Sequence, residues 1–393
     1  MTTLSRRANP IGAIELRRAI SRSLNRSFYD QTDGYAYLPS YGPEEIIVST
    51  APSHLQAAVA GALCRPGDEA LLFAPYRESY PGMVRMAGAT PVVVSAGSEA
   101  GFVPSVDAVE AALTTRTRLV FLNCPGNPGG RVWTRTQIGD LCDLVLAHDG
   151  LYLVSDETCA GFVYGEARHF SPVIHSERMR QRTIITSGVS RKRGSRGWRI
   201  GYAAIADTEL MAGVRTAARR VVSSLPSATQ GAAARALEDR ARACAMRIEF
   251  ERRAGHLTRR LCAMGLPTLP VQGGFYAFAN VSSLFGAKIE GVTLQSARDV
   301  ATALLGDARV ASVAGECFGT PDYIRLPFVR PMEALDATCD AIEAFALRHR
   351  PAVLPAGVQS AGDADQIMPA SADTMLEPLE PAAEPAAMPH TPA

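Results

Sequence analysis

Short, continuous apolar runs alternate with longer amphipathic segments through the first half of the chain. The apolar runs predict seven β-strands, at 44–50, 69–75, 90–96, 118–124, 151–157, 182–188 and 198–206. Most segments between them repeat apolar residues at helical spacing, which predicts helices. Apolar strands separated by helices are typical of a mostly parallel sheet that is covered on both faces. We therefore predict an α/β fold with a mostly parallel, seven-stranded sheet sandwiched by helices.

The second half of the chain has a different pattern. From about 210 to 265 it is helical, with one long helical segment over 228–261. Beyond that segment, strand-like runs alternate with helical stretches, which predicts a smaller α+β C-terminal domain. We expect an N-terminal helical segment (1–30), a large domain (31–245), a small domain (246–350) and a tail (351–393). The tail is rich in Pro and Ala and lacks Lys and Arg, which predicts disorder.

Composition narrows the class of protein. The chain has 393 residues, 47% of them hydrophobic, and a net charge of +1. Such a chain has no electrostatic attraction to nucleic acid or to an anionic membrane. It contains no apolar run near the roughly 18 residues that span a bilayer, and no signal peptide. The eight cysteines form no C-x-x-C pair, which favours buried thiols over a metal site. We expect a cytoplasmic protein without nucleic-acid or membrane partners.

Polar motifs follow three of the predicted strands. The motifs are NCPGNPGG, SDETC and SGVSRK. Ligands of parallel sheets bind at the carboxyl ends of the strands, so chemistry is expected at these motifs. The third motif contains Lys192, which is notable because only two of the 40 Lys and Arg residues are lysines. A lysine retained in such a chain is expected to be needed as an amine.

Seven motifs occur in order between Gly12 and Arg350. They are GAIELRRAI, the stretch from EEIIVST to RPGDEALLFAPYRESYPGMVRMAGATPVVV, CPGNPGG, VSDETCAGFVYG, SGVSRKRGSRGWRIGY, GGFYAFANV and YIRLPFV. Together they make the chain resemble the class I/II aminotransferases, which are fold-type I, aspartate-aminotransferase-like enzymes that use pyridoxal 5′-phosphate. The resemblance implies a homodimer that acts on an amino acid or keto acid, with the cofactor in the large domain.

The resemblance also assigns roles to individual residues. Asp156 matches the carboxylate that keeps the pyridinium nitrogen protonated, and Asn127 matches the donor to the ring's phenolic oxygen. Ser53, in the turn that opens a helix, and Arg199 match the groups that bind the phosphate. Arg325 matches the arginine that takes the substrate's α-carboxylate in a bidentate pair.

The chain departs from the family pattern at several positions. Arg77 stands where an aromatic residue stacks on the cofactor ring, although a guanidinium can also stack on a π-system. Cys159 replaces a tyrosine that reaches the phenolic oxygen, and Ala51 replaces the glycine of the phosphate turn. Arg7 replaces the tyrosine that crosses to the phosphate of the partner subunit. The N-terminal arm that closes over the substrate is expected to be missing.

The largest departure concerns the Schiff-base lysine. The family places this lysine six residues before the glycine of GWR, and Arg191 stands there. A guanidinium stays protonated, so it can neither attach the cofactor nor act as a base at Cα. Lys192 is the next residue. Three possibilities stay open: Lys192 serves through a one-residue shift, the cofactor binds without covalent attachment, or no cofactor binds.

We therefore predict a pyridoxal-phosphate-dependent enzyme acting on an α-amino acid, most simply an aminotransferase. Lys192 and Asp156 would carry the catalysis, with no metal. The departures leave room for an altered reaction, such as elimination or cyclisation in a biosynthetic pathway. The alternatives are a protein that binds the cofactor noncovalently and a pseudoenzyme that binds a partner or a small carboxylate.

Overall fold

The computed structural model of the protein describes residues 9, 11–31, 37–189, 198–222 and 224–349. These residues belong to one compact unit. Several predicted features lie outside the described residues: Arg7, Arg191, Lys192 and the tail 351–393. The predicted domain boundaries stay predictions.

A seven-stranded sheet forms the centre of the unit, as predicted. Its strands are β1 (Ile46–Ser49), β2 (Glu69–Ala74), β3 (Thr90–Ser95), β4 (Thr117–Asn123), β5 (Tyr152–Asp156), β6 (Thr183–Gly188) and β7 (Gly201–Ile205). Their order is β1-β7-β6-β5-β4-β2-β3. β7 runs antiparallel to both of its neighbours, and the other described pairings are parallel. The sheet is therefore mostly parallel, and the predicted fold class is confirmed.

Helices cover both faces of this sheet. They are α1 (Ile14–Tyr29), α2 (Pro52–Leu63), α3 (Tyr80–Met86), α4 (Val106–Ala112), α5 (Arg135–Ala147), α6 (Glu177–Arg182) and α7 (Thr208–Arg219). Successive side chains of a strand point to opposite faces of the sheet, so β4 contributes side chains to two hydrophobic cores. Leu119 and Phe121 pack in the core formed with α2, α3 and α7, whereas Val120 and Leu122 pack in the core formed with α4 and α5. Burial on both faces explains why inner strands such as β4 are apolar throughout, whereas the edge strand β3 is largely exposed.

The C-terminal part is built around a small antiparallel sheet. Its strands β8 (Tyr276–Asn280), β11 (Val313–Ala314) and β12 (Tyr323–Pro327) have the order β11-β12-β8. A short hairpin pairs β9 (Lys288–Ile289) with β10 (Val292–Thr293). The helices are α9 (Arg240–Ala263), α10 (Ala297–Asp307) and α11 (Met332–His349), whereas the preceding α8 (Ser227–Ala236) packs with α1 in a core of the large sheet. Apolar residues of α9, α10 and α11 cover the sheet in a separate core.

The prediction of one long helical segment over 228–261 is wrong in one respect, because the helix is interrupted between α8 and α9. Asp239 stands at the break, and its side chain accepts a hydrogen bond from the backbone N–H of Arg242 at 3.1 Å. An aspartate in this position caps the first turn of the following helix. The cap starts a new helix, which helical periodicity alone does not reveal.

The amino end of α2 lies tightly against β7. Pro52 is the first residue of α2, and Gly201 is the first residue of β7. A Cβ atom on Gly201 would lie 2.3 Å from the carbonyl carbon of Ala51, so a side chain does not fit there. The close approach sets the position of the α2 amino end relative to the sheet.

Two predictions about composition can be compared with the structure. Five of the eight cysteines are buried and all are free thiols, whereas Cys244, Cys262 and Cys317 are exposed. Among the described helices, none combines the length and the apolar character needed to cross a membrane.

Candidate active site

Asp156 is the last residue of β5 and is fully buried. Its Oδ2 atom accepts hydrogen bonds from Nη1 of Arg77 at 2.6 Å and from the hydroxyl of Tyr80 at 2.8 Å. Its Oδ1 atom accepts one from the backbone N–H of Thr158 at 3.1 Å, and a second from the Thr158 hydroxyl. Both carboxylate oxygens therefore already have two donors each.

The charge of Arg77 keeps Asp156 ionised inside the protein. Burial alone would raise the pKa of Asp156, but the charge of Arg77 and the hydrogen bonds from Thr158 and Arg77 lower it. Burial alone would likewise lower the pKa of Arg77, and Asp156 raises it. Removing one member of such a buried pair typically costs about 3–5 kcal/mol of stability. The two residues are therefore strongly interdependent.

Local sequence explains how these groups meet. The backbone N–H of Thr158 bonds to the side chain two residues before it, which is the Asx turn that Asp favours at the end of a strand. Arg77 lies in the connection between β2 and α3, where the N–H of Tyr80 bonds to its carbonyl at 3.0 Å. The N–H of Tyr76 bonds to the carbonyl of Phe318 at 3.1 Å, which ties this connection to the C-terminal part.

Arg77 matches the position that stacks on the cofactor ring, and in the structure its guanidinium contacts Asp156; the stacking role stays a prediction. Its Cζ atom lies 5.8 Å from the centroid of the Tyr80 ring. The Arg77 side chain is only 16% exposed. Its Nε atom is buried and has no hydrogen-bond partner among the described residues.

Asn127 lies in the loop after β4 and is connected to Asp156 through Asn123. The side chain of Asn123 accepts from the backbone N–H of Asn127 at 2.8 Å and donates to the carbonyl of Asp156 at 3.0 Å. The Oδ1 atom of Asn127 accepts from Nη1 of Arg325 at 3.1 Å. This leaves the Nδ2 group of Asn127 as a donor.

Arg325 lies on β12, the central strand of the small sheet. Its guanidinium carbon is 4.4 Å from the centroid of the Tyr276 ring and 4.7 Å from that of Phe318. Contact with two aromatic rings fixes the plane of the guanidinium. Its Nη1 atom lies 3.5 Å from a carboxylate oxygen of Glu78, whose side chain is 48% exposed. Arg325 thus has an orienting environment and a weak, displaceable partner.

The amino end of α2, predicted to bind phosphate, carries Ser53 in its first turn. Pro52 has no N–H, so this helix end offers one donor fewer than usual. His54 is a residue that sequence reasoning missed. Its Nδ1 atom lies 2.5 Å from the hydroxyl of Ser49, and its buried Nε2 atom has no hydrogen-bond partner among the described residues. Burial lowers the pKa of His54.

Two further predicted residues have different surroundings. Cys159 is buried in the core of the C-terminal part, together with Phe162 and Phe275. Arg199 is exposed and forms no hydrogen bond or ion pair with the described residues. Its φ is +48°, a left-handed conformation that is uncommon outside glycine. The cofactor roles of both residues stay predictions.

Glu157, which follows Asp156, belongs to a different environment. Its carboxylate accepts from the hydroxyls of Ser155 and Ser171 and lies 3.4 Å from Nε2 of His169. Burial alone would lower the pKa of His169, but Cys124 and Glu157 raise it to about 9. Glu157 and His169 help to line a cavity of about 600 Å³. None of the residues discussed above around Asp156 or Arg325 lines that cavity.

The described residues fit the predicted cofactor in part. Asn127 offers a donor, Arg325 offers a carboxylate-binding fork, and hydrogen bonds through Asn123 link both to the backbone carbonyl of Asp156. The fit is incomplete at the ring nitrogen, because the oxygens of Asp156 already accept four hydrogen bonds. The segment 190–197, which includes Arg191 and Lys192, lies outside the described residues.

Comparison with known proteins identifies the family. The model for "Aminotransferase class I and II" matches residues 2–342. An aspartate/prephenate aminotransferase of Cereibacter sphaeroides is 33% identical over 85% of this chain and 82% of its own length. An aspartate aminotransferase of Bacillus sp. is also 33% identical, over 78% of this chain and 77% of its own.

Solved structures agree with the sequence relatives. The aspartate aminotransferase of Rhizobium meliloti has a TM-score of 0.80 at 28% identity, covering 88% of this chain and 84% of that one. The Thermus thermophilus aspartate aminotransferase with maleate has a TM-score of 0.76 at 30% identity, covering 86% and 83%. The chain therefore belongs to the class I and II aminotransferase family, which depends on pyridoxal 5′-phosphate.

Proposed function

We propose that the protein is an aminotransferase that acts on an α-amino acid and its keto acid. The contact between Nη1 of Arg325 and Oδ1 of Asn127, at 3.1 Å, carries this proposal. It joins the residue that would bind the substrate carboxylate to one that would bind the cofactor ring. Asn127 follows a strand of the large sheet and Arg325 lies in the small sheet, and their contact supports a site built for both ligands.

Each residue would have a defined task. When bound, pyridoxal phosphate withdraws electrons from the substrate Cα and accepts the amino group. Arg325 would hold the α-carboxylate through two parallel N–H donors and so orient Cα. Asn127 would donate from Nδ2 to the ring's phenolic oxygen. Ser53, the amino end of α2 and Arg199 would hold the phosphate.

Lys192 would attach the cofactor and carry the proton at Cα, because Arg191 cannot do either at neutral pH.

We further propose a homodimer in the cytoplasm, with the large and small domains divided near residue 245 and a dispensable tail. Family membership supports the dimer. Sedimentation that gives a monomer at micromolar concentration would contradict it.

The test is covalent labelling of the protein loaded with pyridoxal phosphate. Borohydride makes a linkage between an amine and the cofactor aldehyde permanent, so mass spectrometry should find the label on the peptide that contains Lys192. Lys192→Arg should remove the label. Lys288→Arg is the matched control and should keep it, because Lys288 is exposed on β9.

Other outcomes would favour the alternatives. A cofactor that binds without label would support noncovalent binding. No cofactor binding by the folded protein would support a pseudoenzyme.

A further inference from the structure

We propose that Glu78 is a specificity-determining residue that favours amino acids with a positively charged side chain and disfavours those with a second carboxylate. The inference rests on the proposed function, since it requires the α-carboxylate of the substrate to bind Arg325. It deepens that function by naming the class of substrate. Aspartate aminotransferases are among the relatives of this chain, and the inference separates the chain from them.

The Glu78 carboxylate lies beside the group that would hold the substrate. Its Oε2 atom is 3.5 Å from Nη1 of Arg325, the nitrogen that also donates to Asn127 at 3.1 Å. The rings of Tyr276 and Phe318 fix the guanidinium, so it cannot follow Glu78 away from the site. The Glu78 side chain is 48% exposed, and its carboxylate is therefore accessible to a ligand that reaches Arg325.

The backbone keeps Glu78 at this place. Glu78 directly follows Arg77, whose guanidinium is held by the buried carboxylate of Asp156 at 2.6 Å. The N–H of Tyr80, two residues after Glu78, closes a turn on the carbonyl of Arg77 at 3.0 Å. The chain is thus fixed on both sides of Glu78, and only its side chain can move when a ligand arrives. Its carboxylate stays within side-chain reach of the bound ligand.

Ligand binding changes the charge balance around Glu78. Without a ligand, Glu78 and Arg325 neutralise each other. The α-carboxylate of a substrate takes over the charge of Arg325, and Glu78 has no second ion pair among the described residues. A cation on the substrate side chain would restore the balance, whereas a second carboxylate would add a repulsion.

Exposure limits the size of the expected preference. A partly exposed pair of charges contributes little, so the preference for a charged over a neutral side chain should be roughly two- to fivefold. Added salt should reduce it, because solvent ions reach the exposed carboxylate. Glu78 would therefore bias the choice among amino acids that the rest of the site accepts.

Pairs of isosteric amino acids test the inference by binding alone. Free L-arginine is compared with its neutral isostere L-citrulline, and L-aspartate with its neutral isostere L-asparagine. Each is titrated by calorimetry into the full-length protein loaded with pyridoxamine phosphate, where no keto or aldehyde group is present to accept an amino group. The wild type should bind arginine roughly two- to fivefold more tightly than citrulline, and aspartate more weakly than asparagine by a similar factor.

Three variants identify the residue responsible. Glu78→Gln removes the charge and should bring both affinity ratios close to one. Glu78→Asp keeps the charge on a shorter side chain and should keep the direction of both preferences. Glu110→Gln, at an exposed position of α4, is the matched control and should keep both ratios at their wild-type values.

Each result has a clear meaning. Wild-type ratios near one, or tighter binding of aspartate than of asparagine, would overturn the inference and leave the proposed function standing. Preferences that persist unchanged in a folded Glu78→Gln variant would remove Glu78 as their cause. Absence of binding of all four amino acids and of pyruvate would overturn this inference together with the proposed function.

Discussion

Arg77 and Glu78 are neighbours in the chain, yet their ion pairs differ in almost every respect. Arg77 contacts Asp156 at 2.6 Å, and the two side chains are 16% and 0% exposed. Glu78 contacts Arg325 at 3.5 Å, and its side chain is 48% exposed. A buried pair is costly to break, whereas an exposed pair contributes about 0–1 kcal/mol. One connection between a strand and a helix thus supplies a permanent counter-charge at one end of the site and a displaceable one at the other.

The largest effect is expected from breaking the buried pair. Asp156→Asn removes the charge that faces Arg77 and should lower the free energy of unfolding by about 3–5 kcal/mol at pH 7, measured by urea denaturation. Glu78→Gln, as the exposed counterpart, should change it by less than about 0.5 kcal/mol. Similar losses for both variants would mean that burial does not distinguish the two pairs.

The exposed pair of Arg325 and Glu78 should affect ligand binding more than the stability of the protein. Arg325→Lys keeps the charge but loses the planar fork, so carboxylate binding should weaken by about 1.5–3 kcal/mol. Calorimetric titration of pyruvate into protein loaded with pyridoxamine phosphate measures this. Arg330→Lys, at an exposed position nearby, is the control and should bind pyruvate like the wild type. An unchanged affinity in Arg325→Lys would remove Arg325 from the site.

The pair of Glu157 and His169 extends the comparison to a second buried charge. The pKa of His169 is raised to about 9, so its stabilising effect is fully present below its ordinary pKa of about 6.5 and is lost as the pH rises through 9. The stability difference between the wild type and His169→Gln should therefore shrink by about 1–3 kcal/mol from pH 6 to pH 10. Urea denaturation at both pH values checks this. A difference that grows with pH would show that His169 is buried in the neutral form.

The smallest effect is expected from removing the displaceable counter-charge. Glu78→Gln eliminates a carboxylate that competes with the ligand for Arg325, so pyruvate should bind roughly two- to five-fold more tightly. The gain should fall as salt rises, because Glu78 is partly exposed. Weaker binding in this variant would instead mean that Glu78 helps to orient Arg325.

The sheet could be predicted because most of its strands are buried on both faces. Runs such as 118–124 are continuously apolar for that reason, and β4 lies within that range. The same pattern placed Asp156 and Asn127 at strand ends, where the structure brings them together through Asn123. The break before α9 was missed because its signal is one capping side chain, Asp239, within a continuous helical period.

The contacts of Arg77 and Cys159 could not be predicted in the same way. Arg77 and Asp156 are 79 residues apart, and neither strand pattern nor spacing indicates which charge a buried arginine will meet. The family resemblance indicates which position Arg77 occupies, but it does not indicate that the guanidinium contacts Asp156. Cys159 was assigned by its position after Asp156, yet a thiol behaves as a small hydrophobe and packs in the core.

The contact between Gly201 and the Ala51–Pro52 peptide has a consequence for ligand affinity. Because the amino end of α2 is seated against β7 by the fold itself, its conformational entropy is lost when the protein folds. An anion that binds there would meet donors that are already in position, and little further ordering would oppose its binding. Substitution of Gly201 by alanine would push this helix end away from the sheet, and ligand binding would then have to restore that order.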